Sequence, residues 1–243
     1  MKFGYSMPNV SPLYPQPPFV YEDNRGINIV FKTAADALQA LLPPPLQPNP
    51  ENLVFVYVGE FNVVSPVKLT YKEAGLGIPV LLEGRPGNYF VYLYLDTAVA
   101  IVPGREIWGW PKKDAAISFT KEKFNYQASV MRDGVEIMYA SVKASEPVIP
   151  IPRQASVPAF NLKIIPSVKR DHLPDVLQLT SAEGSSRRKE MFRGEASLSL
   201  RSTPNDRLGD LPVLAVVGRE QYIEEMSLDC GDVLVDYLAE KVK

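Results

Sequence analysis

A chain of 243 residues with 46% hydrophobic and 22% charged content has too much apolar surface to stay disordered, and its length suits two small domains or one large β-barrel or sandwich. A formal net charge of −2 gives no general attraction for nucleic acid or anionic lipid, which leaves local recognition of a small molecule. The single cysteine, Cys230, excludes an internal disulfide, and the single histidine, His172, leaves too few soft ligands for an ordinary zinc site.

Residues 1–24 carry Pro8, Pro12, Pro15, Pro17 and Pro18 among aromatics, which predicts an extended arm lying over the body or a neighbouring subunit. No apolar stretch of signal-peptide length opens the chain, and the run from Tyr89 stops at Asp96, short of the roughly 18 to 20 residues that cross a bilayer. A cytoplasmic protein without a membrane partner is expected. Ile27–Phe31 reads as a strand, and Thr33 followed by residues 34–42 reads as a helix stopped by Pro43-Pro44-Pro45. From Leu53 to Val142, short β-branched and aromatic runs (53–58, 89–95, 125–131, 135–142) are broken by turn signals such as Gly84-Arg85-Pro86-Gly87 and Arg132-Asp133-Gly134. Gly75 and Gly77 read as turn glycines between strands. The proline-rich stretch 146–160 alternates prolines with Val148, Ile149 and Ile151, which predicts an extended crossover rather than a linker.

Further strands are expected at 162–165, 176–180, 196–200 and 211–217. A terminal helix is expected over 232–241, with Val233, Leu234, Tyr237 and Leu238 on one face. His172, in the polar segment Lys169-Arg170-Asp171-His172, reads as a solvated turn residue, and Arg187-Arg188-Lys189 as a solvated loop. The sum is a mainly β (α+β) protein: a single antiparallel β-barrel-like domain over 1–243 with a few peripheral helices.

Pro111-Lys112-Lys113 follows both tryptophans of the chain, Trp108 and Trp110, and a long apolar run. A lysine nucleophile must be neutral, and a reference pKa near 10.4 requires a depression of roughly 3 to 4 units to give a useful amine at pH 7. A second ammonium ~6 Å away at an effective dielectric of ~20 supplies about 2 units. In an extended segment adjacent side chains point to opposite faces, so that contribution shrinks and desolvation becomes the larger cause. Burial of Lys112 among Ile107, Trp108, Trp110 and the 89–95 strand is therefore expected to matter first, and Lys113 second.

The stretch from Gly104-Arg105-Glu106 to Pro111-Lys112-Lys113 resembles the active-site segment of acetoacetate decarboxylases, in which an arginine–glutamate pair precedes Pro-Lys-Lys and the first lysine forms a Schiff base. That family is itself the standing example of an amine activated by a cationic neighbour. The resemblance covers nearly the whole chain: Asn24-Arg25, Glu73 with Gly77-Ile78-Pro79-Val80, Tyr94-Leu95-Asp96, Lys163-Ile164-Ile165-Pro166, Asp210-Leu211-Pro212-Val213 and Asp236-Tyr237-Leu238 also match in order. One position departs. Where the family has a second glutamate, this chain has Tyr57, with Glu60 three residues on and usable only through a register shift.

The resemblance implies cofactor-independent decarboxylation of acetoacetate or a related 3-oxo acid. Lys112, Lys113 and Glu73 would be catalytic, Arg25 would position a carboxylate, and Tyr57 and Trp108 would line the substrate. Arg105 and Glu106 would brace the strand or touch the substrate. It also implies a large homo-oligomer, with neither metal nor nucleic acid as partner. Two other readings stay open: a Schiff-base aldolase-dehydratase acting on pyruvate or another oxo acid, and a non-catalytic barrel binding an apolar small molecule.

Overall fold

The computed structural model describes residues 3–239 and is built mainly of long strands. In chain order these are β1 (Phe19–Lys32), helix α1 (Ala35–Gln39), β2 (Leu53–Ser65), β3 (Leu69–Leu82), β4 (Arg85–Leu95), helix α2 (Ala98–Pro103) continued by a π-helical turn (Gly104–Trp108), and β5 (Lys112–Asp114). There follow β6 (Ala116–Glu122), β7 (Asn125–Arg132), β8 (Val135–Val148), β9 (Ile151–Ala155), β10 (Ala159–Ile165), β11 (Val176–Ala182), β12 (Gly184–Leu200), β13 (Ala215–Leu228) and β14 (Val233–Asp236).

The main sheet runs β14-β11-β10-β4-β3-β2-β1-β13-β12-β8-β7-β6, with β9 added to β12 and β5 to β4. Pairing is antiparallel except for β4 with β5 and β4 with β10. The β4–β5 connection is a crossover through α2 and the π-helical turn, the kind of link a parallel pair requires. Among the described residues the two end strands do not pair, so the sheet is open and mixed rather than the closed antiparallel barrel expected from its hairpins. Hairpin spacing fixes nearest neighbours but not the ends. Here one end is a four-residue strand and the other carries exposed Thr120, Lys121 and Glu122, features that blunt an edge against further pairing.

Strand alternation divides the apolar side chains between two clusters. Ile27, Ile29, Val56, Val58, Val130 and Ile137 contribute to the larger, and Ile117 of the end strand β6 packs into the same core. The smaller cluster, with Tyr71, Leu93, Leu95 and Ala100 among its members, lies under α2 and the π-helical turn.

Several expectations change. The expected terminal helix is strand β14 followed by a turn, because Val233 and Val235 pair with β11 and the Asp236 carboxylate accepts the amide hydrogens of Leu238 and Ala239; residues 240 and 241 of that expectation lie outside the described residues. Gly75 and Gly77 sit inside β3, not in turns, each opposite an aromatic of β2: a Cβ on Gly75 would stand 2.3 Å from the Tyr57 ring, and one on Gly77 2.3 Å from that of Phe55. Arg187-Arg188-Lys189 belongs to β12 and is ion-paired with Glu224 and Glu225 of β13 and with Asp23. The helix expected over 34–42 is confined to α1. The 146–160 stretch is extended as expected, and the strand expected at 211–217 begins only at Ala215.

Candidate active site

Lys112 opens β5 beside Leu93, and Lys113 lies beside Tyr94. Paired residues of neighbouring strands share a face, so the two lysines point to opposite sides of the sheet. Lys112 enters the smaller cluster and is 4% exposed. Its Nζ lies 3.0 Å from Oε2 of Glu73, 3.4 Å from the carbonyl oxygen of Ala100 and 4.7 Å from the centre of the Trp110 ring. Lys113 turns the other way, with Nζ 2.9 Å from Oδ1 of Asp206; Tyr94 donates to the same oxygen, and Arg132 approaches the other carboxylate oxygen. Lys113 therefore anchors β5 from behind and does not stand beside the Lys112 amine, because consecutive strand residues cannot share a face.

Glu73, itself buried, reaches Lys112 from β3, while its second oxygen accepts the Tyr57 hydroxyl from β2. Tyr57 and Gly75 are direct cross-strand partners, and the bare glycine lets the tyrosine ring lie over the backbone so that its hydroxyl arrives at Glu73. Burial, reinforced by the Glu73 charge, holds the Tyr57 hydroxyl well above the ordinary tyrosine range, so Tyr57 is a fixed donor. Burial also pushes Tyr21, which lines the Lys112 cavity, up to about 12.

The π-helical turn shapes the lysine's other side. A Cβ on Gly104 would stand 2.6 Å from Cδ and 2.7 Å from Cε of Lys112, so the side chain passes over this glycine. The turn is tied down at four points. Arg105 Nη1 donates to the Lys112 carbonyl at 3.0 Å, the Tyr14 hydroxyl to Glu106, Lys163 Nζ to the Ile107 carbonyl at 3.1 Å, and Thr180 Oγ1 to the Trp108 carbonyl at 2.6 Å. Arg105 and Glu106 thus brace the segment. Trp108 donates from Nε1 to the Asp229 carbonyl and stacks on Trp110 with ring centres 5.1 Å apart; it lines the lysine's cavity, but Trp110 presents its face to the amine.

Two cavities adjoin this centre. One of about 120 Å³ contains Lys112 and is closed partly by Leu13, Tyr14 and Pro15 of the arm. The other, about 390 Å³, is lined by Glu73, Tyr57 and a set of apolar side chains, and Trp110 borders both.

Arg25 is not brought to either. Phe19 and Tyr21 pack in the smaller cluster, but β1 is bulged between Tyr21 and Asn24, with Asp23 at φ +52°, and beyond it Ile27 and Ile29 face the larger core. One extra residue reverses the alternation, so Asn28 and Val30 line the large cavity while Arg25 is exposed on the opposite face. Glu60 does not compensate for Tyr57: β2 and β3 pair without a register shift from Tyr57 to Glu60, an odd number of steps that puts the two on opposite faces. The guanidinium that does line the large cavity is that of Arg188 on β12, with Tyr222 and Glu224 of β13 beside it. Sequence reading missed this group because three adjacent cations among serines look like a loop.

The acetoacetate decarboxylase family model matches residues 6–238. The chain belongs to the acetoacetate decarboxylase family. An acetoacetate decarboxylase of Burkholderia cenocepacia (strain HI2424) is 31% identical over 244 residues, covering 98% of this chain and 96% of that protein. A solved structure described as "Structural Studies of Acetoacetate Decarboxylase" superposes with a TM-score of 0.86 at 28% identity, covering 96% of each chain. The enduracididine biosynthesis enzyme MppR complexed with pyruvate shares the fold, with a TM-score of 0.83 at 20% identity over 98% of this chain and 99% of that one. Membership in this family makes the chain an enzyme of the carboxy-lyase type.

Proposed function

We propose that the protein decarboxylates acetoacetate or a related 3-oxo acid to a methyl ketone and carbon dioxide through a Schiff base on Lys112. The observation that carries this reading is a lysine enclosed by aromatic rings with a single carboxylate 3.0 Å from its amine. Lys112 passes a proton to Glu73, and the neutral amine adds to the C3 ketone. Loss of water leaves an iminium. The C1–C2 bond then breaks, its electron pair flows toward the iminium nitrogen, and carbon dioxide leaves. The enamine takes a proton at C2, and water hydrolyses the new iminium to release the ketone and the amine.

Glu73, 3.0 Å from the amine, holds and returns protons throughout in this reading, a role worth typically 10² to 10⁴ in rate. Tyr57 fixes its orientation through the phenol hydrogen bond. The Trp110 face lies where the iminium charge develops, and a desolvated cation–π contact contributes about 2 kcal/mol. Lys113 serves by holding β5 through Asp206.

Borohydride added with acetoacetate should load Lys112 irreversibly, whereas a non-catalytic binding protein would not be loaded. Carbon dioxide release without added aldehyde separates decarboxylation from the aldolase-dehydratase reading. A Lys112→Ala variant that released carbon dioxide at the wild-type rate would refute the assignment.

The same proposal includes one domain spanning the chain, a cytoplasmic location and a homo-oligomer. No helix among the described residues is long and apolar enough to cross a membrane, and Phe3, Met7 and Val10 of the arm expose large apolar side chains suited to a subunit contact.

A further inference from the structure

We infer that Arg188 forms a specificity subsite for a neutral oxygen acceptor on the acyl chain of a 3-oxo acid larger than acetoacetate. The inference rests on the Schiff-base reading of Lys112 and names the substrate class for that site.

Arg188 and Glu224 are direct cross-strand partners on β12 and β13, with Nε 2.9 Å from the Glu224 carboxylate. The guanidinium carbon lies 3.7 Å from the centre of the buried Tyr222 ring. Two partners thus hold a planar donor group in one orientation, the arrangement in which arginine loses least entropy on binding. Its Nη1 is buried and has no hydrogen-bond partner among the described residues. A buried donor left unmade is costly, and Arg188 lines the cavity of about 390 Å³ that also contains Glu73.

The size of that cavity exceeds the need of acetoacetate. A water molecule takes about 30 Å³ of liquid, so the space holds roughly thirteen of them, against seven non-hydrogen atoms in acetoacetate. Phe55, Phe90, Val157 and Met226 wall the cavity, which suits a carbon chain that starts from the ketone at Lys112 in the adjoining smaller cavity, passes Trp110 and Glu73, and runs on toward Arg188.

Charge decides what Arg188 would hold. The Arg188 cation is already offset by Glu224, and the Lys112 cation by Glu73. A second carboxylate on the substrate would bring an uncompensated anion into an apolar enclosure. The carboxylate that leaves is no better a partner, because holding it would stabilise the ground state more than a transition state in which its charge is departing. A ketone, ether, ester, amide or hydroxyl oxygen accepts from the guanidinium without either penalty.

The test compares three acids in the full-length enzyme: 3-oxooctanoate, 6-methoxy-3-oxohexanoate, which replaces one methylene of the former by oxygen, and 3-oxohexanedioate. Wild-type enzyme should favour the methoxy acid over the alkyl acid by about 10- to 100-fold in kcat/KM, the effect of a hydrogen bond to a charged donor. Arg188→Met should bring that ratio near one. Because it strands Glu224, the double variant Arg188→Met/Glu224→Gln is measured beside it and should give the same ratio. Equal kcat/KM for the alkyl and methoxy acids in the wild type, survival of the preference in the folded variant, or faster turnover of the dioic acid would each overturn the inference. Failure of borohydride to load wild-type Lys112 with acetoacetate would instead overturn the Schiff-base reading beneath it.

Discussion

Replacing Gly104 by alanine adds one methyl group at the point where the Lys112 side chain crosses the π-helical turn. Gly104 has φ −59° and ψ −43°, ordinary right-handed values that alanine adopts without strain, and in a helical interior alanine is favoured over glycine by about 1 kcal/mol. Local propensity alone therefore predicts a slight stabilisation. The new Cβ would stand 2.6 Å from Cδ and 2.7 Å from Cε, against about 3.5 to 4.0 Å for unstrained carbons, an overlap of roughly 1 Å.

The atoms it meets belong to the far part of a flexible chain, so the lysine should swing aside and the usual overpacking cost of about 1 to 3 kcal/mol should be largely avoided. The amine then leaves its position 3.0 Å from Glu73, and a misplacement of about 1 Å costs roughly 10²-fold in rate. The expected signature is a thermal midpoint near that of the wild type together with a hundredfold fall in kcat/KM for carbon dioxide release. Borohydride loading of Lys112, followed by peptide mass, should slow in parallel. A Gly104→Ala enzyme within twofold of wild type in both assays would refute the argument that this glycine exists to let the lysine through.

Glu73→Gln keeps an acceptor for Tyr57 but removes the proton acceptor beside Lys112, and should lower the rate of carbon dioxide release by about 10² to 10⁴. Full activity in that variant would remove Glu73 from the mechanism. Tyr57→Phe strands one buried Glu73 oxygen and should cost about 1 to 3 kcal/mol in urea unfolding, with a smaller rate loss than Glu73→Gln. An unchanged unfolding midpoint would contradict it. Asp206→Asn removes the buried charge that the partly exposed Lys113 and Arg132 meet and should cost about 1 to 3 kcal/mol at pH 7.

Burial works to raise the Asp206 proton affinity, but the hydrogen bonds from Lys113 and Tyr94, with the Lys113 and Arg132 charges, outweigh it and hold the carboxyl below the usual range. A folded value below the unfolded one, about 3.9, means stability that is present above that pH and is lost as pH falls through the folded value. The wild type should therefore lose its advantage over Asp206→Asn only below about pH 4. An advantage already gone at pH 6 would contradict the assignment.

Much of the site was legible because the signals were local. Two tryptophans and an apolar run around Lys112 suggest enclosure, although a Lys-Lys pair after proline by itself reads as a solvent-facing turn and the family resemblance decides between them, and period-two alternation separates Lys112 from Lys113 once the segment is extended. The central strands were legible where β-branched and aromatic residues alternate, as in 53–58 and 125–131. Sequence failed where long-range pairing decides. Residues 184–190 are polar on both faces, so nothing local separates a strand from a loop, and the ladders to β9 and β13, reinforced by the β13 carboxylates, hold them extended. Gly75 and Gly77 have low strand propensity, yet rings from the neighbouring strand need them bare. The terminal stretch 233–236 suits either periodicity over so short a run, and the partner strand β11 resolves it. Arg25 matched by sequence and missed in space because a bulge leaves no mark in composition.

That bulge has an evolutionary consequence. Lineages of this fold can change the chemistry of the β1 face by gaining or losing a single codon near Asp23, since a one-residue indel exchanges the whole inward set of side chains upstream for the outward one. Substitution must rebuild such a face residue by residue, and variation in length at this kink should therefore track changes in substrate preference more closely than sequence identity does.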